Sequence, residues 1–223
     1  MWHGMRKDVS DWVKGCTDCQ LSKVGRHNSH PVRQFEDEPS GKFTHIHIDI
    51  VGPLPESTDH AKYLLTIVDR ATRWPMAIPM KDMTAQTVSS KLLSDWVAQF
   101  GVPTSIVSDR GRQFVSSVWS SLLSALGTEV KTTTAFHPEA NGMVERFHRS
   151  LKSSLMAKLS STHEWVKELP AVMLGIRTAF RDEFGASIAE VVLGQELAVP
   201  GKLLVKDSAS APPHPFFRKI DEY

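Results

Sequence analysis

The sequence predicts an α/β fold with a mixed sheet, on three observations. Residues 44–51 alternate strictly between isoleucines and other residues, which is the period of a half-buried strand. Residues 62–68 and 74–80 are two further runs of strand type. Between residues 84 and 100 apolar side chains recur every four positions, which indicates an amphipathic helix. Strands that precede and then alternate with helices favour a layered α/β arrangement.

The remaining elements follow in order. Thr84 and Gly101 are a suitable N-cap and C-cap for the first helix of this region. Residues 105–108 predict a short strand, 115–126 a helix closed by Gly127, and 129–133 a fifth strand. Residues 139–159 and 163–180 predict two long helices.

Composition limits the classes of function. The 26 Lys and Arg residues nearly cancel the 25 Asp and Glu residues, so any nucleic-acid binding must come from local charge placement. Hydrophobic residues make up 41% of the chain, which excludes wholesale disorder. The apolar runs are too short for a membrane span, and the first residues lack the apolar region of a signal peptide. Two cysteines cannot build a disulfide framework, so we expect an intracellular protein.

The chain divides into four parts. Residues 1–30 are basic and helix-like, and residues 31–42 have the composition of a linker. Only residues 43–200 are able to bury a substantial core. Residues 201–223 have no periodic pattern and predict a tail.

Three carboxylates stand out by position. Asp49 lies on the first predicted strand, Asp109 at the end of the fourth, and Glu145 on a helix after the Asn141–Gly142 pair. Sites in open α/β sheets gather at the carboxyl ends of strands, and converging acids bind hard divalent cations. Two such ions support phosphodiester chemistry. The plainer interpretation is that acids at strand ends serve as turn residues or caps, and 25 acids offer many arbitrary triads.

The surroundings of the three acids are more specific. Asp109 and Glu145 are separated by 35 residues, and the acids lie in the motifs HIHIDIVGPLP (45–55), DRGRQF (109–114) and HPEANGMVERFHR (137–149). YLLTIVDR (63–70) and LGIR (174–177) follow the same order. Together these motifs resemble the integrase core of gypsy-like LTR retrotransposons and of retroviruses, with its D,D-35-E triad. The resemblance covers residues 1 to 204.

The resemblance implies an RNase H-like fold, in which helices flank a five-stranded mixed sheet. It implies that Asp49, Asp109 and Glu145 are catalytic and bind two Mg²⁺ or Mn²⁺ ions. The implied activity is that of a DDE-type polynucleotidyl transferase, which trims the 3′ ends of element DNA and transfers them into target DNA. The implied partners are element and target DNA and further copies of the chain, and the implied location is the nucleus.

A basic face follows Glu145. Arg149 and Lys152 lie four and seven residues beyond it, on the same side of a helix, and Arg146 adds charge. Such a stripe suits a DNA backbone, and the resemblance assigns it to contacts with DNA ends. The alternative is a merely solvated helix face.

His137 and Asn141, together with Pro138 and Gly142, predict a loop over the site. We expect His137 and Asn141 to contact DNA or shape this loop. A general-base role for His137 is less favoured, because the metals of the resembling family already supply the nucleophile.

Cys16 and Cys19 have three interpretations: a redox pair, chance, or half of a structural zinc site. Their segment resembles the second half of a His-His-Cys-Cys domain, whose histidines precede this stretch. We therefore expect an incomplete zinc site, with zinc only in an intact N-terminal domain. The segment is expected to be mobile or docked only through Trp2, Met5, Val9, Trp12 and Val13.

Two other functions remain open. One is an RNase H-type nuclease, which shares the fold and the metal chemistry. The other is a catalytically silent or domesticated integrase fragment that only binds DNA or protein. We expect the chain to be a piece of a Pol polyprotein that lacks further N- and C-terminal domains.

Overall fold

The computed structural model describes residues 4–17, 20, 41–132, 138–158 and 164–200, with the backbone alone for 138–142 and 158. Its centre is a five-stranded sheet formed by β1 (His45–Val51), β2 (Tyr63–Asp69), β3 (Pro75–Met80), β4 (Ser105–Ser108) and β5 (Glu129–Thr132). The strand order is β3-β2-β1-β4-β5. β1, β2 and β3 pair antiparallel, whereas β4 pairs parallel with both β1 and β5. The predicted mixed sheet is confirmed, and its order is that of the RNase H-like fold.

Helices cover both faces of this sheet. A single helix, α2, runs through Ala85–Lys91, a π-helical turn at Leu92–Val97, and Ala98–Phe100. The other helices of the core are α3 (Ser117–Leu126), α4 (Pro138–Lys158), α5 (Trp165–Thr178) and α6 (Ile188–Leu193). A short hairpin, β6 (Phe180–Arg181) and β7 (Ala186–Ser187), lies between α5 and α6. Near the N-terminus, α1 spans Met5–Gly15.

The predicted caps of α2 and α3 are present. Thr84 accepts a hydrogen bond from the Thr87 amide at the start of α2, and Gly101 ends the helix with a φ of 85°. Gly127 ends α3 with a φ of 73°, a conformation that glycine adopts without steric cost. Local sequence therefore sets the helix boundaries on this side of the sheet.

The alternation of β1 divides the core into two clusters. Ile46 and Ile48 pack in a cluster with Trp96 of α2 and Trp119 of α3. On the other face Val51 packs against a second cluster, formed mainly by α4 and α5. The predicted separation of the isoleucines from the Asp49 face is thereby confirmed, because alternate residues of a strand point to opposite faces.

The sequence made two predictions for the residues before Glu145, a helix from residue 139 and a loop that included Asn141 and Gly142. α4 begins at Pro138, so the predicted helix is confirmed and the loop is wrong for Asn141 and Gly142. Proline is favoured at the first helical position, and a glycine inside a helix costs only about 1 kcal/mol. Val144 and Leu151 are buried further along this helix, and such packing outweighs weak local propensity.

The end of the core also differs from the sequence prediction. α5 ends at Thr178, and residues 180–187 form the β6–β7 hairpin. Each strand has only two residues, so no period was available to predict it. At the other end of the chain, α1 lies within the segment that the sequence predicts to be helix-like. No helix in the part of the chain described is long and apolar enough to cross a membrane.

Candidate active site

Two neighbouring strands bring Asp49 and Asp109 close together. The parallel β1–β4 ladder runs to His47 and Val107, and Asp49 and Asp109 each follow two residues later, Asp109 just beyond the end of β4. Asp49 pairs with Thr66, whose hydroxyl contacts a side chain of α4, so Asp49 lies on the α4 face. After burial, the charge of Asp109 is a further cause that raises the pKa of Asp49, so the two carboxylates are close. The structure thus brings the first two predicted acids together.

Asp49 is held by its own strand. Its Oδ1 accepts a hydrogen bond of 2.7 Å from the Ile50 amide, and 36% of its side chain is exposed. Burial is the largest cause that raises the pKa of Asp49, the Ile50 amide opposes it, and the Asp109 charge adds to it. A nearby cation would offset both causes, because it favours the ionised form.

Asp109 follows directly after β4 and is exposed. Its Oδ1 accepts a hydrogen bond of 2.9 Å from the Gly111 amide. A Cβ on Gly111 would lie 3.0 Å from that same oxygen and would collide with the Gln113 side chain. Gly111 therefore allows the loop to approach Asp109 closely.

His148 connects α4 to the Asp49 strand. Its Nε2 lies 2.8 Å from the Thr66 hydroxyl, and that hydroxyl donates to the Asp49 carbonyl at 2.9 Å. Because the hydroxyl has one proton, Nε2–H must be the donor to Thr66. Nδ1 then lies 3.9 Å from Asp49 Oδ2, beyond hydrogen-bond distance. Burial lowers the pKa of His148, which favours the neutral ring.

Glu145 lies one turn before His148 on α4 and is exposed. Three residues of helix separate the two by about 60° around the axis, so Glu145 points further outward than His148. Across the residues whose side chains are described, no three His, Cys, Asp or Glu residues form a group ready to hold a metal ion. Glu145 therefore lies on the predicted helix, but it does not form a three-ligand group with Asp49 and Asp109 in the described part of the chain.

The donor set nevertheless fits the divalent ions of the prediction. Asp49, Asp109 and Glu145 offer only carboxylate oxygens, which Mg²⁺ and Mn²⁺ prefer. Asp49 and Asp109 also repel each other in a partly buried setting. A divalent cation between them would relieve that repulsion, so these two residues fit the ion already.

The residues predicted to contact DNA lie on two different sides of α4. Arg149 and Lys152 are exposed and lie within about 40° of Glu145 around the helix. Arg146 is exposed too but lies about 100° from Glu145, on the flank away from His148. His137 and the side chain of Asn141 lie outside the described residues. The shared face therefore consists of Arg149 and Lys152 only.

Other histidines of the region have structural roles. His45 Nδ1 and Ser105 Oγ are 2.6 Å apart, which joins β1 to β4. His47 is buried, and burial followed by the charge of Arg73 lowers its pKa to about 4. His47 is therefore neutral at physiological pH.

The N-terminal segment contributes α1 and Cys16. Cys16 is half-buried, whereas Cys19 lies outside the described residues. α1 buries none of its residues: Trp12 is 85% exposed, and Val9 and Val13 are about half-exposed. These three side chains therefore do not dock on the core. Met5 is half-buried, and Trp2 lies outside the described residues.

Comparison with known proteins agrees with this arrangement. Residues 39–138 match the integrase core domain family, and residues 1–25 match the integrase zinc-binding domain family. The chain carries a retroviral-type integrase core. The family is one of DDE polynucleotidyl transferases.

Relatives of the integrase core are parts of long polyproteins. The chain is 32% identical to the Gag-Pol polyprotein of Walleye dermal sarcoma virus, over 71% of this chain and 9% of the relative. It is 35% identical to the Gag-Pol polyprotein of Woolly monkey sarcoma virus, over 85% of this chain and 11% of the relative. It is 28% identical to the Pol polyprotein of Drosophila melanogaster transposon 412, over 72% and 13%. The chain thus spans about a tenth of each relative.

A solved structure shares the fold of the integrase core. The catalytic core domain of BIV integrase superposes with a TM-score of 0.55 and 21% identity, over 68% of this chain and 95% of that one. Sequence reasoning missed two residues of the site, Thr66 and His148. His148 was visible three residues after Glu145 in the same motif, but its partner Thr66 on β2 was not.

Proposed function

We propose that this chain catalyses metal-dependent 3′-end processing of element DNA and its strand transfer into target DNA. The observation that carries the proposal is that Asp49 on β1 interacts with Asp109 at the end of the neighbouring parallel strand β4, on the side of the sheet that α4 covers with Glu145 among its residues. Membership of the integrase core family supports the same chemistry.

Asp49, Asp109 and Glu145 would hold the divalent ions. Two such ions activate an attacking oxygen and stabilise the leaving oxygen of a phosphodiester. Glu145 must turn inward to complete the set, because it is exposed on α4. Zinc, if it binds, would involve Cys16 and Cys19 of the segment that matches the zinc-binding family.

The protein's own contribution is positioning. β1 and β4 are held in register by backbone pairing. The bond between His148 and Thr66 fixes α4 against β2, beside Asp49. Such supporting contacts around metal ligands commonly change activity about 10- to 100-fold.

Arg149 and Lys152 would bind the substrate backbone. Both are exposed on the face of α4 that carries Glu145. A phosphate bound by these cations would bring its neighbouring phosphodiester to the acids, and duplex DNA offers about one phosphate charge per 1.7 Å of axis. DNA therefore approaches along α4 in this proposal.

The test is a strand-transfer assay with an oligonucleotide that mimics the element's end. The wild-type chain should join it to target DNA in the presence of Mg²⁺ or Mn²⁺. Asp109→Asn should reduce joining by more than about 100-fold, since loss of a ligand exceeds loss of its support. Asp95→Asn, the same change on α2 across the sheet, should leave it unchanged. Full activity of Asp109→Asn would place the chemistry elsewhere.

A silent DNA-binding fragment is the second candidate. The exposure of Glu145 and the lack of a three-ligand cluster in the described part of the chain favour it. In that case the wild-type chain binds DNA but joins nothing. Cleavage of an RNA–DNA hybrid without strand transfer would instead identify an RNase H-type nuclease.

The proposal also includes the setting of the reaction. Integration into chromosomal DNA requires action in the nucleus, and concerted joining of two ends requires more than one copy of the chain. Oligomer formation is a property of the integrase family. Light scattering with and without paired DNA ends, and imaging of a fluorescent fusion, test these two points.

A further inference from the structure

A second polar site lies on the far flank of α4. A cavity of about 40 Å³ is bordered by the arginines Arg73, Arg146 and Arg181 and by Glu183. The arginines come from three places: the turn between β2 and β3, α4, and the β6–β7 hairpin. His148 and the acids lie around the other flank of α4, so this cavity is separate from the candidate active site.

Two donors at this cavity have no acceptor. The Nε atoms of Arg73 and Arg181 are buried and make no hydrogen bond. Glu183 Oε1 is 3.9 Å from Arg73 Nε, too far for a hydrogen bond. Buried donors without partners are costly, because they lose water and gain nothing in return. An acceptor in the cavity would remove this cost once the arginine side chains rotate to expose Nε–H to it.

The charges around the cavity are unbalanced. Three guanidinium groups face one carboxylate. Burial is the largest cause that lowers the pKa of Arg73; Glu183 and Asp69 oppose it, while the positive charges of Arg146 and Arg70 lower the pKa further. Arg73 and Arg146 therefore repel each other, and an anion between them would be attracted.

Arg73 is also held at its far end. Its Nη1 donates to the Arg70 carbonyl at 2.8 Å and contacts Met143 Sδ at 3.0 Å. A guanidinium whose far end is fixed loses little conformational entropy when Nε–H finds an acceptor. The far end of Arg73 is thus fixed before any ligand binds.

We propose that Arg73, Arg146 and Arg181 form a binding site for a phosphate group. Guanidinium forks match the oxygens of phosphate, and phosphate is the anion that such clusters recognise best. The cavity is several times larger than the space that one water needs, so a compact oxyanion fits better than a lone water. The phosphate comes either from free phosphate or from a nucleic-acid backbone.

The test uses pyrophosphate and the full chain. Pyrophosphate should raise the thermal unfolding midpoint above the value in NaCl of equal ionic strength, because a ligand of the folded state stabilises it. Arg146→Gln and Arg181→Lys should each weaken pyrophosphate binding roughly tenfold or more. Arg146 is exposed, so its variant should remain folded. Lys91→Gln, on α2 across the sheet, should bind pyrophosphate like the wild type.

Binding of duplex DNA distinguishes a backbone phosphate from free phosphate as the ligand of this site. If a backbone phosphate occupies the site, Arg146→Gln should lower the log–log salt slope of duplex binding by about 0.9. If free phosphate is the ligand, Arg146→Gln should leave the salt slope of duplex binding unchanged. The same variant should lose the rise in the unfolding midpoint that pyrophosphate causes in the wild type. The proposal is overturned if pyrophosphate acts no differently from NaCl and the slope is also unchanged.

Discussion

The two faces of the sheet differ in kind. The face under α2 and α3, here called the aromatic face, is packed by Phe43, Trp96, Phe100, Phe114 and Trp119. The face under α4 and α5, here called the polar face, carries Asp49, Thr66 and His148 beside its apolar cluster. One face is thus built of apolar and aromatic packing, and the other carries the polar groups on which the proposed activity depends.

This division has a physical basis. A carboxylate within apolar packing must be satisfied by hydrogen bonds, whereas a site must keep charges and donors within reach of a substrate. Burial raises the pKa of Asp49 on the polar face and of Asp69 on the aromatic face. However, Asp69 is fully buried and accepts hydrogen bonds from Phe43 and Thr72, whereas Asp49 stays partly exposed. Substitutions on the two faces should therefore separate stability from activity.

The largest effect is expected on the aromatic face. Trp96→Ala should lower the free energy of unfolding by about 3–5 kcal/mol, because Trp96 is fully buried and contacts the rings of Phe43 and Phe100. The measurement is denaturant unfolding followed by circular dichroism. Strand transfer should persist at temperatures where the variant is folded.

Trp96→Phe is the matched control for this prediction. It keeps a ring in the cluster and removes a buried indole N–H that has no partner. The loss should therefore be about 1–2 kcal/mol. Equal losses for Ala and Phe would show that ring packing does not carry the stability of this face.

His148→Ala should have the reverse signature. It removes one hydrogen bond, so the free energy of unfolding should fall by about 1–2 kcal/mol. Strand transfer should fall about 10- to 100-fold, since α4 loses its tie to β2 beside Asp49. The readout is kcat at saturating DNA, measured with the chain fully folded.

His45→Ala sharpens this second prediction. His45 also joins two neighbouring elements, through its 2.6 Å hydrogen bond to Ser105, but away from the three acids. It should cost a similar amount of stability and leave strand transfer unchanged. If both variants lose activity equally, the special position of His148 is refuted.

The sequence predicts those features of the fold that depend on local patterns. Alternation in residues 44–51 predicted both faces of β1, because period two depends on the strand alone. Caps at Thr84 and Gly127 were equally local. The triad followed from motifs, and the register of β1 and β4 brought two of its members together.

What the sequence could not predict depends on distant contacts. Thr66 meets His148 across 82 positions, and no local pattern marks such a pair. The Arg73 and Arg181 cavity needs the β6–β7 hairpin, whose two-residue strands have no period. The loop predicted at Asn141 and Gly142 conflicts with the helix predicted from residue 139, and the packing of Phe147 in the core favours the helix.

A smaller effect is expected at the outer surface of the polar face. Arg149→Ala and Lys152→Ala should each weaken duplex binding and lower the log–log salt slope by about 0.9 for each phosphate that is no longer neutralised. Neither residue is buried, so stability should be unchanged. Fluorescence anisotropy at several salt concentrations measures the slope. Lys167→Ala, an exposed lysine paired with Glu164 on α5, should have no effect. An unchanged slope in the double variant would mean a merely solvated face.

The smallest effect is expected in the N-terminal segment, which belongs to neither face. A structural zinc site needs four ligands, and a complete one contributes folding energy directly. Residues 1–30 offer Cys16 and Cys19, with His3, His27 and His30 outside the order of the zinc-binding family. Zinc should therefore bind weakly and leave the unfolding midpoint of the core unchanged, because α1 buries no side chain. Dialysis against a mild chelator followed by metal analysis tests this. One mole of zinc per mole of chain, retained through dialysis and lost in Cys16→Ser, would contradict it.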